Sequence, residues 1–305
     1  MIICCGEALI DMIPKEQGAY QPLAGGAIFN TAIALGRLQT DVAMVSGIST
    51  DLFGQQLVET LQASQVQADW LVRSNAPTTL AFVQLNDGHA SYTFYDENTA
   101  GRSFTSTDLP SLPDSASCLY FGGISLISEP AADAYVAMAA RYAPDKVIMV
   151  DPNIRPSFIV DEQRYRARLQ ELLAIADIIK VSDEDLAWLV PGESSELGQI
   201  ESLRIKTNSI VIVTHGAEGA TAYKQGAEIA KAASEKAQVV DTVGAGDTFN
   251  AGVLASLAEQ GCLQKASLSN TNSKQIQTAL AKGAKVAAVT VSRAGANPPW
   301  SNELV

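Results

Sequence analysis

Short apolar runs rich in Val and Ile alternate along the chain with longer amphipathic stretches. Ile2–Cys5, Val42–Val45, Cys118–Phe121, Val147–Val150, Ile178–Val181 and Ile210–Thr214 are predominantly apolar, the pattern of strands covered on both faces. Between them Phe29–Leu38, Phe53–Ser64, Ala131–Tyr142 and Glu162–Ala176 read as helices, and a further helix begins near Thr248. This alternation predicts an α/β fold, a mainly parallel sheet with helices on both sides. Cys4 and Cys5 are adjacent in the first run, so they are expected to point to opposite faces of the sheet.

One region departs from the alternation. Thr78–Leu85 and Ser91–Tyr95 flank the turn-like Asn86-Asp87-Gly88-His89-Ala90, which predicts an antiparallel hairpin without a helix of its own. With part of Ile10–Pro22 it reads as a small β appendage, spanning about 11–24 and 76–102 of one single domain. Such an appendage serves as a lid that excludes water from a cleft, or as a sheet extension for contacts between subunits. The polar stretch Glu193–Asn208 reads as surface structure, and the residues after Pro298-Pro299 as a trailing tail.

Composition narrows the function. The formal net charge of -12 repels phosphate backbones, so nucleic acid is not an expected partner. The four cysteines form no CxxC pair and only two histidines are present, which argues against zinc and for reduced, buried thiols. No apolar run approaches membrane-spanning length, and Met1–Met12 lacks a basic leader, so a cytoplasmic protein without membrane contact is expected.

The chemistry concentrates in Asp241-Thr242-Val243-Gly244-Ala245-Gly246-Asp247-Thr248-Phe249-Asn250-Ala251-Gly252. A strand-like Ala237–Val240 leads into a Gly-Ala-Gly turn, and a helix is expected to start near Asp247–Thr248. The free N–H groups at that helix start make an anion hole at Gly244, Ala245 and Gly246. Asp247 is placed either to accept a proton from an attacking hydroxyl or simply to cap the helix. Asp11 ends the first strand-like stretch, Gly25 and Gly26 offer backbone N–H groups, and Asn30 both donates and accepts. Arg155, after the strand Val147–Val150, presents a fork for a hydroxyl or phosphoryl oxygen, or for an ion pair with Asp151. Tyr92 and Phe94 share one face of the hairpin.

The twelve-residue run resembles the second signature of the ribokinase-like (PfkB) carbohydrate kinases, and Gly25–Leu38 resembles their first. Gly6–Asp11, Asp51–Gly54, Asp151–Pro156 and Thr214–Gly219 follow in the family's order, so the resemblance spans essentially the whole chain. Within the family, Tyr95–Arg102 and Phe121–Leu126 look like bacterial fructokinases. The resemblance implies a three-layer α/β/α sandwich with a small β lid, and transfer of a phosphoryl group from ATP to a sugar. It implies that Asp247 is the base and that Asp11 binds sugar. It further implies that Tyr92 and Phe94 lie over the ring, and that Ser182, Thr214, Gly216, Gly219, Gly244, Gly246, Ala284 and Ala288 line the nucleotide site. The family's Asn-x-x-Glu, which serves Mg²⁺ and its waters, is Ser182 and Asp185 here, a departure on the metal side. A monovalent cation such as K⁺ is expected near Asp241 and 292–296, as in relatives. Fructose is the first substrate expected; 2-keto-3-deoxygluconate, another ketose or a nucleoside follow. A non-catalytic sugar-binding module is the alternative of another class, and a homodimer through the lids is the expected assembly. A Rossmann oxidoreductase does not fit, because Gly6-Glu7-Ala8 stands where GxGxxG is required.

Overall fold

The computed structural model of the chain describes residues 1–86, 89–203 and 205–304. The chain opens with β1 (Ile2–Cys5), then β2 (Leu9–Pro14) and β3 (Tyr20–Gly25), before α1 (Ala27–Arg37) and β4 (Val42–Val45). A short pair, β5 (Gly47–Ser49) and β6 (Val72–Ser74), brackets α2 (Leu52–Ala63). The strands β7 (Leu80–Asn86) and β8 (His89–Tyr95) lead to the one-turn helix α3 (Ala100–Ser103). Strands and helices then alternate through β9 (Cys118–Gly122), α4 (Ala131–Tyr142), β10 (Val147–Asp151), α5 (Glu162–Ile175) and β11 (Ile178–Ser182). After α6 (Asp183–Leu189) and α7 (Glu196–Ser202) come β12 (Ile210–Thr214), β13 (Ala220–Lys224) and β14 (Ala227–Ala232). Three helices follow, α8 (Ala245–Glu259), α9 (Lys265–Ser269) and α10 (Ser273–Val291).

The main sheet runs β14-β13-β12-β11-β10-β9-β1-β4. It is parallel from β4 to β12, and β13 and β14 add an antiparallel edge. Its central strands are buried on both faces, as the unbroken apolar runs required. Cys4 joins Phe29, Leu254 and Val286 in a core under α1, α2, α8 and α10. Cys5 joins Tyr135, Leu169 and Ile200 in a second core under α4, α5 and α7. The two thiols thus point to opposite faces, and all four cysteines are free and buried. The result is three layers, helices over sheet over helices.

A second sheet, β3-β2-β7-β8, stands beside this sandwich. Asp11 pairs with Leu23 and Ala81 inside it. Asp11 therefore does not end a strand of the main sheet. The chain leaves β1 at Cys5, and the bend at Gly6–Ala8 carries it into the second sheet. The predicted hairpin is present as β7 and β8, and Asp87 and Gly88 of its turn lie outside the described residues.

Two other expectations are corrected. Ala237–Val240 is loop, with Val239 and Val240 62% and 60% exposed, so its apolar character does not come from a sheet. The C-terminal residues are docked instead of trailing. Arg37 donates to the Pro298 carbonyl at 2.8 Å and lies over the Trp300 ring at 5.4 Å, and Arg293 pairs with Glu303 at 2.7 Å. Among the described residues, no helix is long and apolar enough to cross a membrane.

Candidate active site

The loops after β1, β9, β10, β11 and β12 leave the same edge of the main sheet, and α8 begins above them. Ligand groups gather at such carboxyl ends because the loops are free to vary while the strands fix their origin. Gly244 holds φ +79°, a backbone conformation that a side chain would strain, and acts as the N-cap of α8. The helix starts at Ala245, two residues earlier than the sequence pattern indicated, so Asp247 is inside its first turn and is not the cap.

Freed from capping, the Asp247 carboxylate turns inward. It is 8% exposed, and its Oδ2 accepts a hydrogen bond from Asn30 Nδ2 at 2.9 Å. Thr31, one residue on in α1, donates to the Asp247 carbonyl at 3.0 Å and fixes helix α8 against α1. Burial raises the Asp247 pKa to about 7, with Asp151 and Glu7 adding to the rise and Asn30 and Lys180 opposing it. A carboxyl poised near neutral pH is suited to taking a proton from a hydroxyl.

Around Asp247 lies a cavity of about 380 Å³, within the range of roughly 300–1,000 Å³ typical of small-molecule sites. Asp11, Gly26, Asn30, Tyr92, Phe94, Arg155 and the turn Gly244–Asp247 border it. Asp11 has its pKa raised by burial to about 6. Gly25 stands just behind, where a Cβ would come within 2.2 Å of Asp11 Oδ2, so a glycine is required for the carboxylate to sit there. Phe94 meets Phe158 edge to face at 4.3 Å between centroids, and Tyr92 tilts against Phe94 at 6.1 Å. Arg155 hydrogen-bonds its neighbour's carbonyl, Ile154 O, at 3.0 Å. Asp151 pairs with Lys180 instead, at 3.1 Å, which removes the alternative of an Arg155–Asp151 ion pair.

A second cavity, about 520 Å³, adjoins the first and shares Thr242, Ala245 and Gly246 with it. Thr214, Gly216, Gly219, Ala284 and Ala288 all border it, as the sequence indicated. Its wall is mostly apolar, with Val239, Phe249, Ala287 and Val291 among its residues, and Ser234, Glu235 and Lys236 border it as well. Thus one cavity rich in hydroxyl-binding groups and one suited to a flat apolar ring meet at a turn of backbone amides.

Ser182, expected at the nucleotide, and Asp185, expected on the metal side, line neither cavity. Ser182 is the N-cap of α6, its hydroxyl accepting from Asp185 N at 2.9 Å. Asp185 Oδ1 accepts from Ile154 N at 3.0 Å, and burial raises its pKa. Asp241 bridges two backbone segments, accepting from Val243 N at 3.0 Å and from Gly295 N at 2.9 Å. It does lie against the 292–296 loop. Among the described residues, no group of three or more His, Cys, Asp or Glu gathers to hold a metal.

Sequence reasoning gave no role to Glu7 or Lys180. Glu7 is buried and accepts from Ala27 N at 3.0 Å and Ser125 N at 3.2 Å, tying the loop after β3 to the loop after β9. Lys180 is a cation in the middle of an otherwise apolar strand, and that misfit was the available signal.

Comparison with known proteins agrees with this geometry. The family model "pfkB family carbohydrate kinase" matches residues 1–303. A fructokinase of Rhizobium leguminosarum bv. trifolii is 45% identical over 282 residues, covering 91% of this chain and 86% of that protein. Among solved structures, a fructokinase from Xylella fastidiosa with bound ATP superposes with a TM-score of 0.88 at 29% identity, covering 99% and 97% of the two chains. A Vibrio cholerae O395 fructokinase in its fructose-, ADP- and calcium-bound form gives a TM-score of 0.84 at 27% identity, covering 97% and 94%.

Proposed function

This chain belongs to the pfkB family of carbohydrate kinases, and on that premise we propose that it phosphorylates D-fructose from ATP, with Asp247 as the base. The observation that carries the reading is the junction of the two cavities at Gly244–Asp247, where a hydroxyl on one side meets a phosphoryl group on the other. The sugar is held by Asp11, Asn30 and Arg155 and lies under Tyr92 and Phe94. Asp247 takes the proton of the attacking hydroxyl, and the Gly244, Ala245 and Gly246 amides receive the charge that develops on the phosphoryl oxygens. The second sheet is the lid, and its closure excludes water that would otherwise compete as acceptor.

Fructose is favoured over an acidic sugar because Arg102, the cation nearest the hairpin, adds nothing to the Arg155 and Lys180 that border the cavity. Arg102 is held by Asp96 at 3.1 Å and borders a neighbouring cavity, so it is not free to meet a substrate carboxylate. The names of the similar proteins point the same way. The nucleotide occupies the apolar cavity, with its ring against Ala284 and Ala288 and its phosphates near Thr214, Gly216 and Gly219. Magnesium would be held chiefly by those phosphates, with Asp185 reaching its waters, and when bound it neutralises the β- and γ-phosphate charge. The short protein shell suits an ion that keeps most of its water. Asp241 and the 292–296 loop are the proposed potassium position. Two chains pair through their lids in this reading, supported by the exposed Tyr20 and Tyr95 on that sheet. The reduced, buried thiols fit a cytoplasmic setting.

The test is ATP consumption against a panel of sugars, alongside Asp247→Asn. Fructose should support turnover, and the variant should lose roughly two to four orders of magnitude in kcat, the usual worth of a positioned base. Absence of turnover with every sugar would defeat the kinase reading, and a fully active Asn variant would defeat the assignment of the base.

A further inference from the structure

Lys180 sits third in β11, at a central position of a parallel sheet where an apolar side chain is the rule. Its neighbours Ile179 and Val181 are fully buried, and Lys180 itself is only 5% exposed. A buried ammonium is costly unless paired, so its persistence in the middle of an apolar strand calls for a partner or a use. The partner is one-sided. Nζ donates to Asp151 Oδ2 at 3.1 Å, and that oxygen also accepts from Asn250 Nδ2 of α8 at 2.7 Å. An ammonium carries three donors, and this bond uses one.

The other side of the ammonium faces the turn. A Cβ placed on Gly246 would lie 3.3 Å from Lys180 Nζ, so the charge rests directly against the backbone of the anion hole. Lys180 also borders the cavity that holds Asp247. A full positive charge and the positive end of helix α8 therefore converge on one spot. Without an anion there, the two repel. With one, both are satisfied, which is the arrangement expected of a site adapted to charge that develops during reaction.

We infer that Lys180 is a further catalytic residue, its ammonium hydrogen-bonding an oxygen of the phosphoryl group in transit over the Gly244–Gly246 amides. This rests on the kinase reading above. In that step the sugar oxygen bonds to the γ-phosphorus, and the bond from γ-phosphorus to the bridging oxygen breaks with its electron pair left on ADP. The hydroxyl proton passes to Asp247. Lys180 keeps its proton throughout and contributes charge and direction. Asp151 holds the ammonium in place, and Asn250 holds Asp151, so the two act as positioning residues.

The experiment compares the wild-type chain with Lys180→Met, Lys180→Arg and the double variant Asp151→Asn/Lys180→Met. Sugar-dependent ATP consumption gives kcat and KM. Titrations in the presence of fructose give the affinity for ADP and for ADP with tetrafluoroaluminate, a planar mimic of the phosphoryl group. Lys180→Met should lower kcat about 100- to 1,000-fold, as removal of an oxyanion donor does. ADP affinity should stay within about twofold, while affinity for the fluoroaluminate complex falls by a factor like that of kcat. Lys180→Arg should recover at least tenfold of the lost rate. If Lys180→Met fails to fold around an unpaired Asp151, the double variant removes both charges and should show the same loss. A kcat within threefold of wild type in either variant overturns the inference, as does an equal loss of affinity for ADP and its fluoroaluminate complex. A wild-type chain inert to every sugar overturns the kinase reading itself, whereas an active wild type beside an active Lys180→Met overturns this inference alone.

Discussion

The two cavities that meet at Gly244–Asp247 are built by opposite means. The cavity proposed for the sugar is made of side chains held by other side chains: Asp247 by Asn30, Asp151 by Lys180 and Asn250, and the loops by Glu7. The cavity proposed for the nucleotide is made mostly of backbone turns and apolar residues, with Ala284, Ala287 and Ala288 presenting one face of α10 and Glu235 and Lys236 at its border. A sugar offers many hydroxyls in fixed directions, so recognising it takes charged and amide groups aimed at each one. A purine offers a flat apolar surface, so recognising it takes room and the absence of bulk. The first kind of site fails when a polar group is lost, and the second when a methyl group is added.

That contrast is broken most severely at Asp11. Asp11→Ala should raise the sugar KM about 100-fold, the cost of two lost hydrogen bonds to a charged acceptor at roughly 1.5 kcal/mol each, while ATP KM stays within about twofold. Steady-state kinetics with each substrate varied in turn decides it. An equal rise in both KM values would mean that the second sheet acts on the whole site, not on the sugar side. The pH dependence comes next in size. Asp247 must be ionised to act as a base and its pKa is raised to about 7, so kcat/KM for the sugar should fall about tenfold per pH unit below that value, more steeply below about 6 where Asp11 also takes up a proton, and level off above 7. A profile flat from pH 5 to pH 8 would remove Asp247 from the proton transfer. On the nucleotide side, Ala288→Leu should raise ATP KM about tenfold by filling the cavity, at about 1–3 kcal/mol for overpacking, with sugar KM unchanged.

The same contrast governs what the sequence made legible. The main-sheet strands stood out because burial on both faces leaves an unbroken apolar signature, and β4 and β12 fall where that signature placed them. The edge strands β13 and β14 escaped because Ala-Thr-Ala-Tyr-Lys and Ala-Glu-Ile-Ala-Lys-Ala carry weak strand propensity. Ala237–Val240 misled in the other direction. Its valines are exposed, and Val239 borders the second cavity, so the apolar pattern there belongs to a surface and not to a buried strand. Asp247, Asn30 and Asp11 could be picked out because each lies in a stretch that resembles a family motif, and the structure brings all three to one cavity. Their supports could not be. Asn30 and Asp247 are 217 residues apart, and Lys180 finds Asp151 only through the adjacency of β10 and β11. Pairings of that kind follow from topology, which no local pattern carries.

The smallest effect concerns what the sugar side costs the fold. Asp247 has a folded pKa of about 7 against an ordinary carboxyl value of 3.8, so the folded protein holds that proton more tightly than the unfolded chain. Its contribution is therefore most favourable below about pH 4 and is lost progressively as pH rises from there to about 7. Asn carries no charge to desolvate and keeps an amide oxygen that can accept from Asn30. Asp247→Asn should thus unfold later than wild type at pH 8, by about 1–2 kcal/mol, and the gap should close as pH falls towards 4. Urea unfolding of both proteins at several pH values measures this directly. A gap that is constant with pH would mean that the variant gains from packing and that the buried carboxylate carries no penalty. A gap that closes as described means that the site keeps a destabilising charge buried in place for the proposed proton transfer, where the second cavity leaves its wall mostly apolar.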